Sequence, residues 1–125
     1  MFGLILLSSR YGCMLGVKEI DATSLKERID AGEKFRLIDV RSANEFNQGI
    51  IEGGEFLPLH TLPVRLNDFT NDDNIVFYCR SGVRSAQACM FAKQNTGLEA
   101  LNLRGGIISW YQSGLPITQP ESAVA

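Results

Sequence analysis

The strongest chemical signal in the chain is Cys79-Arg80-Ser81-Gly82-Val83-Arg84-Ser85, set directly behind the run Ile75-Val76-Phe77-Tyr78. A β-branched and aromatic run that stops at a cysteine, turns through a glycine between two arginines and enters an alanine-rich segment reads as strand, tight loop, helix. In that setting the loop's backbone N–H groups and the positive end of the helix both face the sulfur, and Arg80 and Arg84 add full charges nearby. The chemistry this favours is nucleophilic, a thiol held as its thiolate. Gly82 supplies the backbone freedom that lets several amides converge on one point.

Other reactive side chains read as structural. His60, the single histidine, stands between Pro58 and Pro63, far in sequence from Cys79, and is expected to be an exposed loop residue rather than a catalytic base. Asp39, Arg41 and Glu45 suggest an ion pair bracing a strand end. Cys89 falls on an apolar segment of the post-loop helix and is expected in the core rather than as a resolving thiol. Trp110, with Ile107 and Ile108, reads as helix packing. Cys13, Cys79 and Cys89 form an odd set without C-x-x-C spacing, so neither a disulfide framework nor a zinc site is indicated. No cofactor and no metal are called for, and a reducing, cytoplasmic compartment is the simpler expectation.

The elements that must position the loop alternate. Val17 to Ile20 is a strand candidate, and Ser24-Leu25-Lys26-Glu27 has the form of a capping box opening a helix. Phe35 to Val40 reads as a buried strand, and Ser42-Ala43-Asn44-Glu45 repeats the capping-box form before a short helix ended by Gly49. Glu55 to Leu57 is a third strand stopped by Pro58, residues 60–68 hold a short helix, and Ile75 to Tyr78 is the strand before the loop. Ser85 to Gln94 predicts a helix apolar nearly all round. Leu98 to Leu103 is the last strand, broken by Gly105-Gly106, and Ile107 to Gln112 a terminal helix closed by Gly114-Leu115-Pro116. The alternation predicts an α/β fold with a largely parallel sheet covered on both faces.

At 125 residues, with 45% hydrophobic and 21% charged residues, the chain fits one soluble domain with a sizeable core. A net charge of −2 gives no reason to expect nucleic acid or an anionic membrane as partner. Residues 1–16 hold an apolar stretch too short to span a bilayer and without the basic start or cleavage pattern of a signal peptide, and they read as a weakly ordered arm. The domain is placed at 17–117, and 118–125 as a flexible tail.

Four landmarks, taken in order, resemble the rhodanese-like sulfurtransferases: Leu37-Ile38-Asp39-Val40-Arg41 with Glu45-Phe46; Gly49 to Pro58; Cys79 to Ser85; and Gly105-Gly106 with Trp110 and Gly114-Leu115-Pro116. The resemblance implies a three-layer fold, a central five-stranded, mostly parallel sheet flanked by helices, with the catalytic cysteine opening the loop after a central strand. It further implies a reaction in which Cys79 takes a sulfane sulfur from a small donor such as thiosulfate, becomes a persulfide, and passes the outer sulfur to cyanide in an assay or to a thiol or protein cysteine in the cell. One departure stands out: Gly49-Ile50-Ile51-Glu52-Gly53-Gly54 replaces the family's common Gly-His-Ile-Pro-Gly-Ala pattern, which bears on turn geometry and not on the nucleophile.

On this reading Arg80, Ser81, Gly82, Val83, Arg84 and Ser85 form the substrate-binding loop around catalytic Cys79. Arg80 and Arg84 are the natural contacts for a dianion, with the alternative that one of them pairs with an acid and holds the loop. Ser85 is expected to cap the helix, with a secondary claim on the transferred sulfur. The enzymatic rival, a cysteine phosphatase or arsenate reductase, places five residues between cysteine and arginine. Here only Arg80, Ser81, Gly82 and Val83 intervene before Arg84, and the smaller ring suits a single sulfur. A non-catalytic binding or regulatory module and a protein persulfide relay remain as further alternatives.

Overall fold

In the computed structural model, which describes residues 16–124, one sheet holds β1 (Lys18–Ile20), β2 (Arg36–Asp39), β3 (Gly54–Phe56), β4 (Ile75–Tyr78) and β5 (Leu101–Leu103). The strands lie in the order β1-β5-β4-β2-β3, and every pairing is parallel. The period-two pleat sends Ile75, Phe77 and Cys79 to one face, where they meet Ile38, Val40, Ala88, Cys89 and Ala92. Val76 and Tyr78 go to the other, against Leu25, Leu37, Leu103, Ile107 and Trp110. With both faces covered, β4 has no solvent side, which is why its sequence shows an unbroken apolar run.

The helices are α1 (Ala22–Asp30), α2 (Ala43–Gln48), α3 (Leu62–Arg65), α4 (Val83–Thr96) and α5 (Gly106–Gln112), with 3-10 turns at Leu59–Thr61 and Leu66–Asp68 on either side of α3. α1 starts a turn before the expected Ser24, because the Asp21 carboxylate accepts the Ser24 N–H at 2.8 Å and serves as the cap. The Ser42 capping box forms as expected, with both reciprocal bonds to Glu45. α4 begins at Val83 rather than Ser85, since Gly82 turns the chain at φ +105° and no side chain caps the helix. Ser85 is therefore not the cap; it lies in the first turn, fully buried. α4 buries one face through Ala86, Ala88, Cys89 and Ala92 and leaves Gln87, Lys93 and Gln94 in solvent, so it is amphipathic and not apolar all round.

Residues 118–124, read from the sequence as a flexible tail, are tied to the end of α2. Ile50 and Thr118 exchange backbone bonds of 2.7 and 2.8 Å, and the Asn47 side chain holds both the C=O and the N–H of Val124 at 2.8 Å. Ile50, which stands where the expected pattern has histidine, is buried in this contact, while Glu52 faces solvent. The expected N-terminal arm, with Cys13, lies outside the described residues except for Gly16. Among the described residues no helix is long and apolar enough to cross a membrane.

Candidate active site

The chain runs outward from β2 to β3, returns to the centre as β4 and continues in the opposite direction to β5. The order thus reverses between β2 and β4, and the carboxyl ends of those two strands flank a crevice of the kind in which open α/β sheets place their ligands. Cys79 follows β4 at this edge, and Val40-Arg41 follows β2.

The loop curls its donors inward. The Gly82 N–H donates to Cys79 Sγ at 3.1 Å and the Ser85 hydroxyl lies 3.4 Å from it, while the Ser81 and Ser85 N–H groups also act on the sulfur. The cause lies in α5, whose Ile107 and Ile108 N–H groups take the Cys79 and Arg80 carbonyls at 2.9 and 3.2 Å. In a trans peptide the C=O and the following N–H point opposite ways, so drawing the Arg80 carbonyl toward α5 turns the Ser81 N–H toward the sulfur. Glycine is required twice. A Cβ on Gly106 would collide with the Cys79 and Arg80 carbonyls, and one on Gly82, at φ +105°, would sit 3.3 Å from the Gly105 nitrogen.

Cys79 is only 1% exposed. Burial pushes its thiol up, but the Ser85 hydroxyl and the Ser85, Gly82 and Ser81 amides outweigh it, and the thiol ends below its ordinary value. Cys89, also buried in the core as expected, has no such donors, and burial pushes it up to about 12.

The two loop arginines divide the roles offered to them. Arg84 closes on the Glu45 carboxylate with two bonds of 2.7 and 2.9 Å, taking the loop-holding alternative. The Arg84 guanidinium beside it, opposed by partial burial, holds the Glu45 carboxyl down at about 2. Arg80 is exposed, and among the described residues its side chain has no ion pair or hydrogen bond. Ser81 and Val83 are exposed as well, Val83 by 61%. Beside the loop opens a cleft of about 650 Å³ lined by Val40, Arg41, Ser42, Pro58, His60 and Arg84, among others. His60 is exposed, as expected, and sits in this cleft wall. Asp39 and Arg41 form the expected brace, a buried two-point pair whose guanidinium also binds the Gly49 carbonyl at 2.7 Å.

Three contributors were absent from the sequence reading or assigned elsewhere: Asn102, which meets Ser85; Gly105-Gly106, which admits the loop carbonyls to α5; and Glu45, which holds Arg84. The adjacent glycines carried a usable signal, since two such residues opening a helix point to a close backbone approach. A lone asparagine in a strand carried none.

Known proteins resemble this chain in sequence and in fold. A family model described as Rhodanese-like domain matches residues 21–113. A sulfurtransferase of Allochromatium vinosum is 46% identical over 105 residues, covering 84% of this chain and 98% of the relative. Among solved structures, a rhodanese-related protein from Thermoplasma volcanium superposes with a TM-score of 0.73 at 32% identity, covering 81% of this chain and 97% of that one. A rhodanese-like domain protein from Staphylococcus aureus gives 0.71 at 31% identity, with coverage of 75% and 91%.

Proposed function

Because this chain belongs to the family of rhodanese-like domains, whose model spans most of its length, we propose that it is a sulfurtransferase that carries sulfur as a persulfide on Cys79. The observation that carries the reading is the convergence of the Ser81, Gly82 and Ser85 amides and the Ser85 hydroxyl on Sγ, which lowers the thiol in spite of burial. A fold retained for binding alone has no use for an activated thiol.

Thiosulfate fits as donor. The Cys79 thiolate attacks its terminal sulfur, a new S–S bond forms, the old one breaks, and sulfite departs with the electron pair. Arg80, exposed and without a charged partner among the described residues, is the cation that meets the incoming dianion. Arg84, neutralised by Glu45, holds the loop instead. In the second half-reaction a thiophilic acceptor, cyanide in an assay or a thiol or protein cysteine in the cell, attacks the outer sulfur. Sγ leaves as the thiolate, and the inward amides stabilise the charge as it returns. No side-chain base is needed, which agrees with His60 standing in the cleft wall rather than against the sulfur.

Intact mass after incubation with thiosulfate tests this. The wild-type protein gains one sulfur atom, cyanide removes it as thiocyanate, and Cys79→Ser gains none. No gain on the wild type, or an equal gain on the variant, overturns the assignment.

A further inference from the structure

Behind the Cys79 sulfur runs a buried line of polar groups in which every donor but one has a fixed address. Asn102, on β5 and 1% exposed, lies across from Glu19 on β1. Its amide nitrogen gives one hydrogen to Glu19 Oε2 at 3.0 Å and the other to the Gly82 carbonyl at 3.1 Å. Both partners accept only, so the amide cannot flip, and its oxygen must face Ser85. The Ser85 hydroxyl has one hydrogen and two acceptors for it: Asn102 Oδ1 and, at 3.4 Å, Cys79 Sγ.

We propose that Asn102 is a positioning residue for Cys79: anchored by Glu19 and Gly82, it competes with the sulfur for the single Ser85 hydrogen, so that the hydroxyl turns to Sγ only when Sγ carries charge. This rests on the reading of Cys79 as nucleophile. In the neutral thiol, S–H donates to Ser85 Oγ and Ser85 donates to Asn102. In the thiolate, the Ser85 hydrogen swings to Sγ. When Sγ attacks the donor's sulfane sulfur and the leaving group departs with its electron pair, the negative charge moves to the outer sulfur, Sγ becomes neutral, and the hydrogen returns to Asn102. When an acceptor takes the outer sulfur, the electron pair returns to Sγ and the hydrogen swings back. The hydroxyl thereby follows the charge through the cycle, and Asn102 sets how strongly Ser85 favours the thiolate over the thiol.

The pH profile of Cys79 alkylation by iodoacetamide, read on the Cys79 peptide by mass, tests this through Asn102→Val. Valine suits a strand and removes the competing oxygen. The Gly82 carbonyl keeps the Ala86 N–H and the Glu19 carboxylate keeps Arg104 on Oε1, so only Glu19 Oε2 gives up a partner. The charges around the line are Glu19 and Arg104 on the β1 and β5 side, Arg84 with Glu45 between α4 and α2, Asp39 with Arg41 after β2, and Arg80 in the loop. Replacing one neutral side chain by another adds no charge to this set and, within it, takes a hydrogen bond only from Glu19.

The midpoint falls by about one pH unit in Asn102→Val. The fall disappears when Ser85→Ala is added, since no hydrogen is left to compete for. The isosteric Asn102→Asp, which keeps an acceptor toward Ser85, holds the midpoint at or above that of the wild type. A midpoint that stays or rises in Asn102→Val, as a loosened loop with misaimed amides would give, overturns the proposal; so does a fall that survives Ser85→Ala, or a fall in Asn102→Asp. Should Asn102→Val fail to fold, Asn102→Leu, which also removes the competing oxygen and adds no charge, decides in its place, with the same fall expected and the same outcomes against it. Sulfur loading is read separately: a wild type that alkylates as described but never gains sulfur defeats the functional reading and leaves this one standing.

Discussion

Cys79 and Cys89 are two buried cysteines ten positions apart, in contact with the same apolar cluster on one face of the sheet. Burial opposes the thiolate at both. At Cys89 it acts alone but for the unfavourable charge of Glu19, and the thiol is pushed up to about 12. At Cys79 the loop adds a hydroxyl and three amides, and the thiol falls below its usual value. The lesson is that aimed donors, rather than exposure, separate a thiol drawn toward its thiolate from one that only packs. The donors are aimed because α5 pulls the loop carbonyls the other way.

The largest expected effect breaks the pair apart. At pH 8 iodoacetamide modifies Cys79 in the folded protein while Cys89 stays unmodified, and Cys89→Ala transfers sulfur within about twofold of the wild-type rate, an effect on the order of a few tenths of a kcal/mol. Peptide mass mapping and a thiocyanate assay read the two results. Labelling of Cys89 at a comparable rate, or a loss of transfer in Cys89→Ala approaching that of Cys79→Ser, would show that donor geometry does not distinguish the two sites.

This distinction was half legible in the sequence. β4 ending just before Cys79, a glycine in the turn and an alanine-rich helix are local signals; the first two stand where the pattern put them, and the helix opens two residues earlier than expected. The core position of Cys89 followed from its apolar neighbours, the largely parallel covered sheet from the alternation of elements, and its five strands from the family resemblance. What one-dimensional pattern could not carry is pairing across long separations. Arg84 meets Glu45 39 positions away, and Ser85 meets Asn102 at 17. Composition makes an arginine near a thiol look like an anion contact, and only the fold brings up the carboxylate that occupies it. The same holds for Asp21 capping α1 in place of Ser24, where two good caps compete and the buried Ala22 favours the earlier start.

A change within the loop gives a smaller effect. Gly82→Ala places a Cβ 3.3 Å from the Gly105 nitrogen at a φ of +105°, costing about 1–2 kcal/mol of stability from backbone strain. It also shifts the N–H that reaches Sγ at 3.1 Å, and weakening that bond to a charged sulfur raises the Cys79 alkylation midpoint by about one pH unit. Thermal unfolding and the alkylation profile check the two parts separately. A less stable protein with an unmoved midpoint would mean that Gly82 serves the fold and not the thiolate, and that the contrast with Cys89 rests on Ser85 and the remaining amides.

The smallest effect concerns the charge beside the loop. The Arg84 guanidinium, against partial burial, lowers Glu45 from an ordinary 4.5 to about 2. A carboxyl depressed in the folded state contributes stability that is fully present above 4.5 and is lost as pH falls through about 2. Glu45→Gln keeps the capping-box partner of Ser42, since glutamine serves there as well, and removes only the charge. The pair is partly exposed, at 37% for Arg84 and 27% for Glu45, so the loss is about 1 kcal/mol or less. The gap in unfolding temperature between wild type and Glu45→Gln should therefore be widest near neutral pH and close between 4.5 and 2. A gap that persists unchanged to pH 2, or that widens on acidification, would mean the ion pair does not form in solution. Arg84 would then be free to act on the sulfur beside Arg80, and the division of labour between the two arginines would fail.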